Sequence, residues 1–517
     1  MAHPPEQETR PLLAENPPYG SVLVSPLEGA AVDRSEGNGM SGETFDNVPQ
    51  ARRQLGLSSA AFLIFNRVIG TGIFATPSAI LLSSGSVGIA LIMWVLGALI
   101  AIASTIVYVE LGTGLPRSGG EKNYLEYMYR RPKFLVTCTY GVYTLVSGSN
   151  APNGLVFGQY TLNALNLPPT PFNTQLTALP RGERSLLMIG VFSRSGLRLL
   201  NTLGTFKFFI LTTIAALGLL SLLFPALLPV RPEYETPDNL RSWEAFWRGG
   251  RGDANSLVTA LYNVMWSFIG YSNANYALSE VRDPVKTIKR AAPLAILSVA
   301  AVYMLVNVAY FAVVSRTDIL GSRQIIACVF VLIQELAREG ITPLPGLFAT
   351  NKPFGAPLAG LTVLYLISVV LVVAPPPGDA YLFLLSISSY SLTLINTFVS
   401  FGLLLLHTKA YRAWGWNPPF RAPRAVVVVV FVSNVFLALT PLVPPGPGQR
   451  PPYEGIPYYT HVLVTIAASQ LGVLYWWIWS IWLPRRNGYT LKREWEVQED
   501  GVSRFVFVKV PAVVDAS

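Results

Sequence analysis

An all-α, multi-pass membrane fold is predicted by three observations: charged residues are scarce, uncharged runs recur at crossing length, and basic residues gather in short clusters between those runs. Of 517 residues, 51% are hydrophobic and 13% charged, against about 25% charged in soluble domains. The net charge of +9 is dispersed over the segments between apolar runs. It therefore reads as cytosolic loops of a membrane protein rather than a nucleic-acid footprint, and the expected surrounding is a lipid bilayer.

Few residues are available for chemistry. The three histidines, His3, His407 and His461, form no spaced cluster with carboxylates, and there is no nucleophile elbow, so neither an enzyme nor a cofactor is expected. Two cysteines, Cys138 and Cys328, lie in apolar surroundings. They are too few for a disulfide framework or a four-ligand zinc site and read as buried thiols.

Residues 1–50 are rich in Pro, Gly, Glu and Ser and lack periodicity, which predicts a disordered cytosolic tail. No basic stretch followed by an apolar run opens the chain, so a cleaved signal peptide is not expected. The Glu8–Leu13 segment, ETRPLL, resembles an acidic dileucine sorting signal, a match short enough to arise by chance. The plasma membrane is favoured, with a vacuolar membrane as the alternative.

The membrane domain is expected over residues 51–483. A hydrocarbon core of about 30 Å takes about 20 helical residues to cross. Runs of that order lie at 57–82, 87–111, 134–163, 205–229, 255–279, 291–315, 355–375, 380–406, 425–444 and 458–483. Two more apolar stretches, 185–192 and 325–334, are about half the needed length. The basic clusters settle their status, because short cytosolic loops collect Lys and Arg. Putting Arg52 and Arg53, the Arg117–Lys133 loop, Arg194–Lys207, Arg282–Arg290, Lys409–Arg424 and Arg485–Arg493 on one side requires a crossing at each short stretch. Twelve crossings follow, the fourth and eighth shortened, with both termini cytosolic. Residues 484–517 form a cytosolic tail whose alternating RFVFVKV reads as a short strand or docking segment.

The first crossing, FLIFNRVIGTGIFATPSAIL, carries a break signal. Gly70 and Gly72 are two apart, about 200° around a helix, so one packing ridge does not explain both. β-Branched Thr71 and Ile73 flank them and Pro77 follows, so unwound backbone is expected. Unpaired backbone persists in a membrane only where water, protein or a ligand satisfies it. The two half-helix ends suit a zwitterion: free N–H groups for a carboxylate, free carbonyls for an ammonium. A second weak point lies in the sixth crossing at Phe268–Ser272, beside Asn273 and Asn275. One interrupted helix thus opens each half of the chain, as in transporters built from inverted repeats.

With those residues stated, the chain resembles the amino acid–polyamine–organocation superfamily, in particular the L-type amino-acid transporters of the fungal, methionine-permease-like branch. The resemblance runs from about Leu57 to Arg504. It is carried by NRVIGTGIFATP, YVELGTGLPRSGGEKNYLEY, FIGYSNANYALSEVRDPVKTIKRA, QELAREGITPLP and NPPFRAP in order. It implies a LeuT-like core of five plus five inverted helices with two added, moving neutral L-amino acids such as methionine by alternating access. The alternatives are a non-transporting amino-acid sensor and a defective short isoform.

Residue by residue, the resemblance puts the substrate clamp on Ile69, Gly70, Thr71, Gly72 and Ile73. Pocket and gate positions fall on Trp266, Ser267, Phe268, Ile269 and Gly270, although Trp266 and Phe268 also fit plain packing. Lys207 matches a lysine that substitutes for a sodium ion in this family; a lysine snorkelling to the cytosol is the other reading. Arg67, well inside the first crossing, is expected to face a cytosolic gate and pair with Glu280 or Glu110. Protons are the coupling ion the family suggests, with few acidic residues here to carry them. The 164–183 loop has no cysteine, so the disulfide-linked heavy chain of animal relatives is not expected. Relatives have full fourth and eighth spans; a skipped exon, a gene-model error or a shortened isoform would produce the short ones here.

Overall fold

The computed structural model describes residues 55–147, 196–224, 238–316, 379–409, 415–445, 455–497 and 503–511, with single positions between them (Arg53, Leu371, Pro375, Pro376 and Tyr453). The amino-terminal tail, the fourth and eighth crossings, most of the ninth and the end of the third lie outside the described residues.

The first crossing is two helices, α1 (Leu57–Val68) and α2 (Thr71–Ser84), whose axes differ by 41°. α3 (Val87–Gly114) follows, started by Ser86, whose Oγ accepts from Ile89 N at 3.3 Å and so serves one of the orphan N–H groups of a helix start. Next come α4 (Glu121–Met128), α5 (Leu135–Ser147), α6 (Gly196–Leu223) and the short α7 (Trp243–Trp247). The sixth crossing is α8 (Ala254–Ser267), capped by Asp253 accepting from Ser256 N at 3.0 Å, then a turn, then a 3-10 segment Asn273–Glu280. α9 (Pro284–Val313), α10 (Ala380–Leu406), α11 (Arg424–Leu439), α12 (Thr460–Trp477) and α13 (Leu483–Asn487) are the remaining α-helices among the described residues.

Among the described residues six helices are long and apolar enough to cross a membrane, and the bent α1–α2 pair makes a seventh span. The apolar faces are not all turned inward: Leu99 (57%), Phe209 (68%), Val432 (57%) and Leu471 (58%) stand exposed. Such outward leucines and phenylalanines on several helices would be a liability in water and are the normal lining of a lipid-facing surface.

α9 lies at the centre, packed on α6, α3 and α1, while α8 packs on α2 and α3. The main apolar core is gathered around these contacts, with Ile64, Trp94, Phe268, Tyr303 and Phe311 buried in it. α12 packs on α5, and α10 on α11. The tail expected to contain a strand forms a hairpin, β1 (Tyr489–Val497) against β2 (Ser503–Pro511), paired antiparallel from Tyr489↔Pro511 to Val497↔Ser503. Phe507 of β2 is buried with Cys138 against Phe134 and Trp479, so the hairpin docks where α5 begins.

Candidate functional site

The first break is short. α1 ends at Val68; Ile69 turns extended (φ −76°, ψ 99°) with its N–H still bonded to Phe65 O at 2.9 Å. Gly70 (φ −146°, ψ −140°) leaves helical space, and α2 restarts at Thr71 with no side-chain cap. The irregular backbone is therefore two residues, Ile69 and Gly70, and of the expected clamp Ile69–Ile73 the last three, Thr71, Gly72 and Ile73, form the first turn of α2. Those three N–H groups are orphans by position, and with the positive end of the helix dipole they make an anion-binding end.

The carbonyl side of the break is met by two side-chain donors, one partly buried and one fully buried. Lys207 Nζ, from α6, donates to Ile69 O at 2.8 Å and to Asn66 O at 3.2 Å. The Tyr303 hydroxyl, from α9, donates to Val68 O at 2.9 Å.

The second break begins where α8 ends at Ser267. Phe268 is still near-helical, but Gly270 takes φ +117°, a backbone conformation that a side chain would strain. A Cβ there would also run into Arg67, standing 3.0 Å from its Cβ. After the turn the chain continues as the 3-10 segment, interrupted again at Ala277. The Ser267 carbonyl lies 3.2 Å from the Tyr303 hydroxyl, so one side chain touches the ends of both broken helices.

The two breaks sit against each other. A Cβ added to Gly72 would stand 2.5 Å from Ser267 Cα and 2.8 Å from its Oγ. Thr76 Oγ1 lies 2.9 Å from Ser267 Oγ, and Ser267 Oγ donates to Asn263 O at 2.9 Å. At the approach to the first helix, Leu55 N donates to Glu280 O at 3.0 Å and Arg282 N to Leu55 O at 2.8 Å. The strand-like bridge Leu55↔Val281 thus joins the start of the first span to the end of the sixth.

Ile69, Gly70, Gly72, Ile73, Ser267 and Gly270 are brought together, as are Lys207 and Arg67. Trp266 and Ile269 are partly exposed beside them. Phe268 has 0% exposure, boxed between Trp94 and Tyr303 with ring centroids at 6.2 and 5.3 Å. Glu110 does not meet Arg67. It is fully buried and accepts from Trp416 Nε1 at 2.9 Å and Ala422 N at 2.8 Å, with His407 Nε2 at 2.8 Å. Those contacts fill the carboxylate, because a buried charge needs close partners and Trp416, His407 and Ala422 supply them. Glu280 is exposed and contributes its carbonyl to the bridge with Leu55.

Tyr303, Trp94 and Thr76 were missed by sequence reasoning. Each lies in an ordinary apolar helix stretch, and only the fold reveals that Tyr303 and Thr76 place hydroxyls at the breaks and that Trp94 packs on Phe268 and Tyr303. Among the described residues no group of three or more metal-ligating side chains occurs.

The sequence profile of the family described as Amino acid permease matches residues 55–331 and 324–468. The chain belongs to the amino acid permease family. The two matched stretches overlap at residues 324–331, which lie outside the described residues. The permease is 37% identical over 497 residues to the high-affinity methionine permease of Saccharomyces cerevisiae, covering 89% of this chain and 85% of that one. The low-affinity methionine permease of the same yeast is 26% identical, covering 96% and 94%. The b(0,+)-type amino acid transporter 1 of Rattus norvegicus is 26% identical, covering 76% and 83%. The permease thus sits in the methionine-permease-like branch that its motifs resemble. Among solved structures it is similar to Mhp1, a nucleobase-cation-symport-1 family transporter, with a TM-score of 0.43 at 14% identity over 84% of this chain and 94% of that one.

Proposed function

We propose that this permease moves neutral amino acids, methionine foremost, across the plasma membrane by alternating access, and that the two helix breaks hold the substrate. The observation that carries the reading is the contact of Gly72 with Ser267, which sets the free N–H end of α2 beside the carbonyl ends of α1 and α8. N–H groups at a helix start suit the substrate carboxylate, and carbonyls at a helix end suit its ammonium. The similarity to the high-affinity and low-affinity methionine permeases of yeast supports the substrate. Lys207 supplies a fixed positive charge on the carbonyls of the first break, which supports a sodium-independent cycle; protons are the coupling ion that the family resemblance suggests. Arg67, lying over Gly270, and the Leu55–Val281 bridge next to Glu280 supply the cytosolic gate.

Uptake of radiolabelled methionine by the full-length protein in proteoliposomes tests this. Saturable uptake that is lost with Gly70→Val supports it. Binding of methionine without flux would instead make the chain a sensor.

A further inference from the structure

Lys207 already occupies Ile69 O and Asn66 O, so the acceptors left at the facing helix ends include Val68 O and Ser267 O. Both lie within hydrogen-bond reach of one atom, the Tyr303 hydroxyl, at 2.9 and 3.2 Å. A tyrosine hydroxyl has a single proton to donate. It pairs fully with one carbonyl at a time and leaves the other short of a donor, in a place where an unpaired polar group is costly.

The hydroxyl is not free to wander. Tyr303 has 0% exposure, and its ring stands 5.6 Å from Trp94 and 5.3 Å from Phe268, centroid to centroid. One turn further along α9, Asn307 Nδ2 donates to the Tyr303 carbonyl at 2.8 Å. Two oxygens that both reach one fixed hydroxyl are themselves held a short distance apart, although they belong to helices from opposite halves of the chain.

We propose that Tyr303 is the positioning residue for the substrate's amino group. It holds Val68 O and Ser267 O as a spaced pair of acceptors, supplies one proton to the pair, and leaves the second acceptor to the ligand. A primary ammonium suits that pair, since it brings three N–H donors and a positive charge to two carbonyl dipoles. An α-hydroxyl in the same place brings one neutral donor. Tyr303 therefore determines how strongly the site prefers an α-amino acid over the matching α-hydroxy acid. This rests on the breaks being the amino-acid site.

The test is competition for radiolabelled methionine binding by unlabelled methionine and by its α-hydroxy analogue, on the full-length protein in nanodiscs. Wild type, Tyr303→Phe and Trp94→Phe are compared. The ratio of the two affinities, taken within one preparation, does not depend on how much protein is folded. Tyr303→Phe keeps the ring and its packing but removes the hydroxyl that fixes the spacing of Val68 O and Ser267 O; the ammonium's charge-assisted contact with the pair weakens, and the preference for methionine should shrink by about tenfold, chiefly through weaker methionine binding. Trp94→Phe disturbs the ring packing without touching the hydroxyl, and should move both ligands together. A Tyr303→Phe ratio that is unchanged or larger overturns the proposal, as does an equal loss of preference in Trp94→Phe. If wild type binds neither compound, the site assignment itself fails, which is a separate result.

Discussion

Gly72 of α2 rests directly on Ser267 of α8, so closely that a Cβ on Gly72 would be 2.5 Å from the Ser267 main chain. The contact joins the first break to the second. Backbone cannot retreat as a flexible side chain does, so Gly72→Ala must push α2 away from α8. Overpacking of this kind costs about 1–3 kcal/mol. The variant is expected to melt earlier than wild type in a detergent thermal-shift assay and to take up methionine more slowly at equal surface amounts.

Lys207 ties α6 to the carbonyls of Ile69 and Asn66. Hydrogen bonds from a charged donor contribute about 1.5–3 kcal/mol each. Lys207→Met should therefore lower methionine transport at least about tenfold, and methionine uptake by the wild type should be the same when choline replaces sodium in the assay buffer. Uptake that requires sodium would remove the lysine from the role of a fixed cation.

Glu110 is locked by Trp416, His407 and Ala422. Glu110→Gln replaces one acceptor oxygen with an N–H group facing buried donors, a mismatch of about 1–3 kcal/mol. Lower folded yield and a lower melting temperature are expected. Arg67 shares no contact with this carboxylate, so in a double-mutant cycle Arg67→Ala and Glu110→Gln should add within about 0.5 kcal/mol; a larger coupling would restore Glu110, one of the two partners expected for Arg67.

Phe507 covers Cys138 together with Phe134 and Trp479. In a Cys328→Ser background, Cys138 should resist a membrane-permeable maleimide, and adding Phe507→Ala should expose it, because truncating a buried Phe removes about 3–5 kcal/mol of packing. Labelling that does not change would detach the hairpin from the bundle.

Helices and both breaks were legible in the sequence because their causes are local. A run of uncharged residues reads as a span, and Gly70, Gly72 and Gly270 read as interruptions. The first break is confined to Ile69 and Gly70, since Thr71 and Ile73 adopt helical backbone as soon as Gly70 has turned the chain. What joins the breaks was not legible. Tyr303 is one aromatic among apolar neighbours, and its two carbonyl partners are 235 and 36 residues away. The Glu110 contacts span about three hundred residues: Trp416 is 306 and Ala422 312 positions on. Pairings of that range depend on the packed bundle and leave no mark on local pattern.

The most direct measurement is methionine-dependent thermal stabilisation of purified wild type beside Gly70→Val. The opposed helix ends predict that wild type is stabilised in a saturable way while the variant, folded and monodisperse, gains nothing. Equal stabilisation of the two proteins would contradict a substrate site at the breaks.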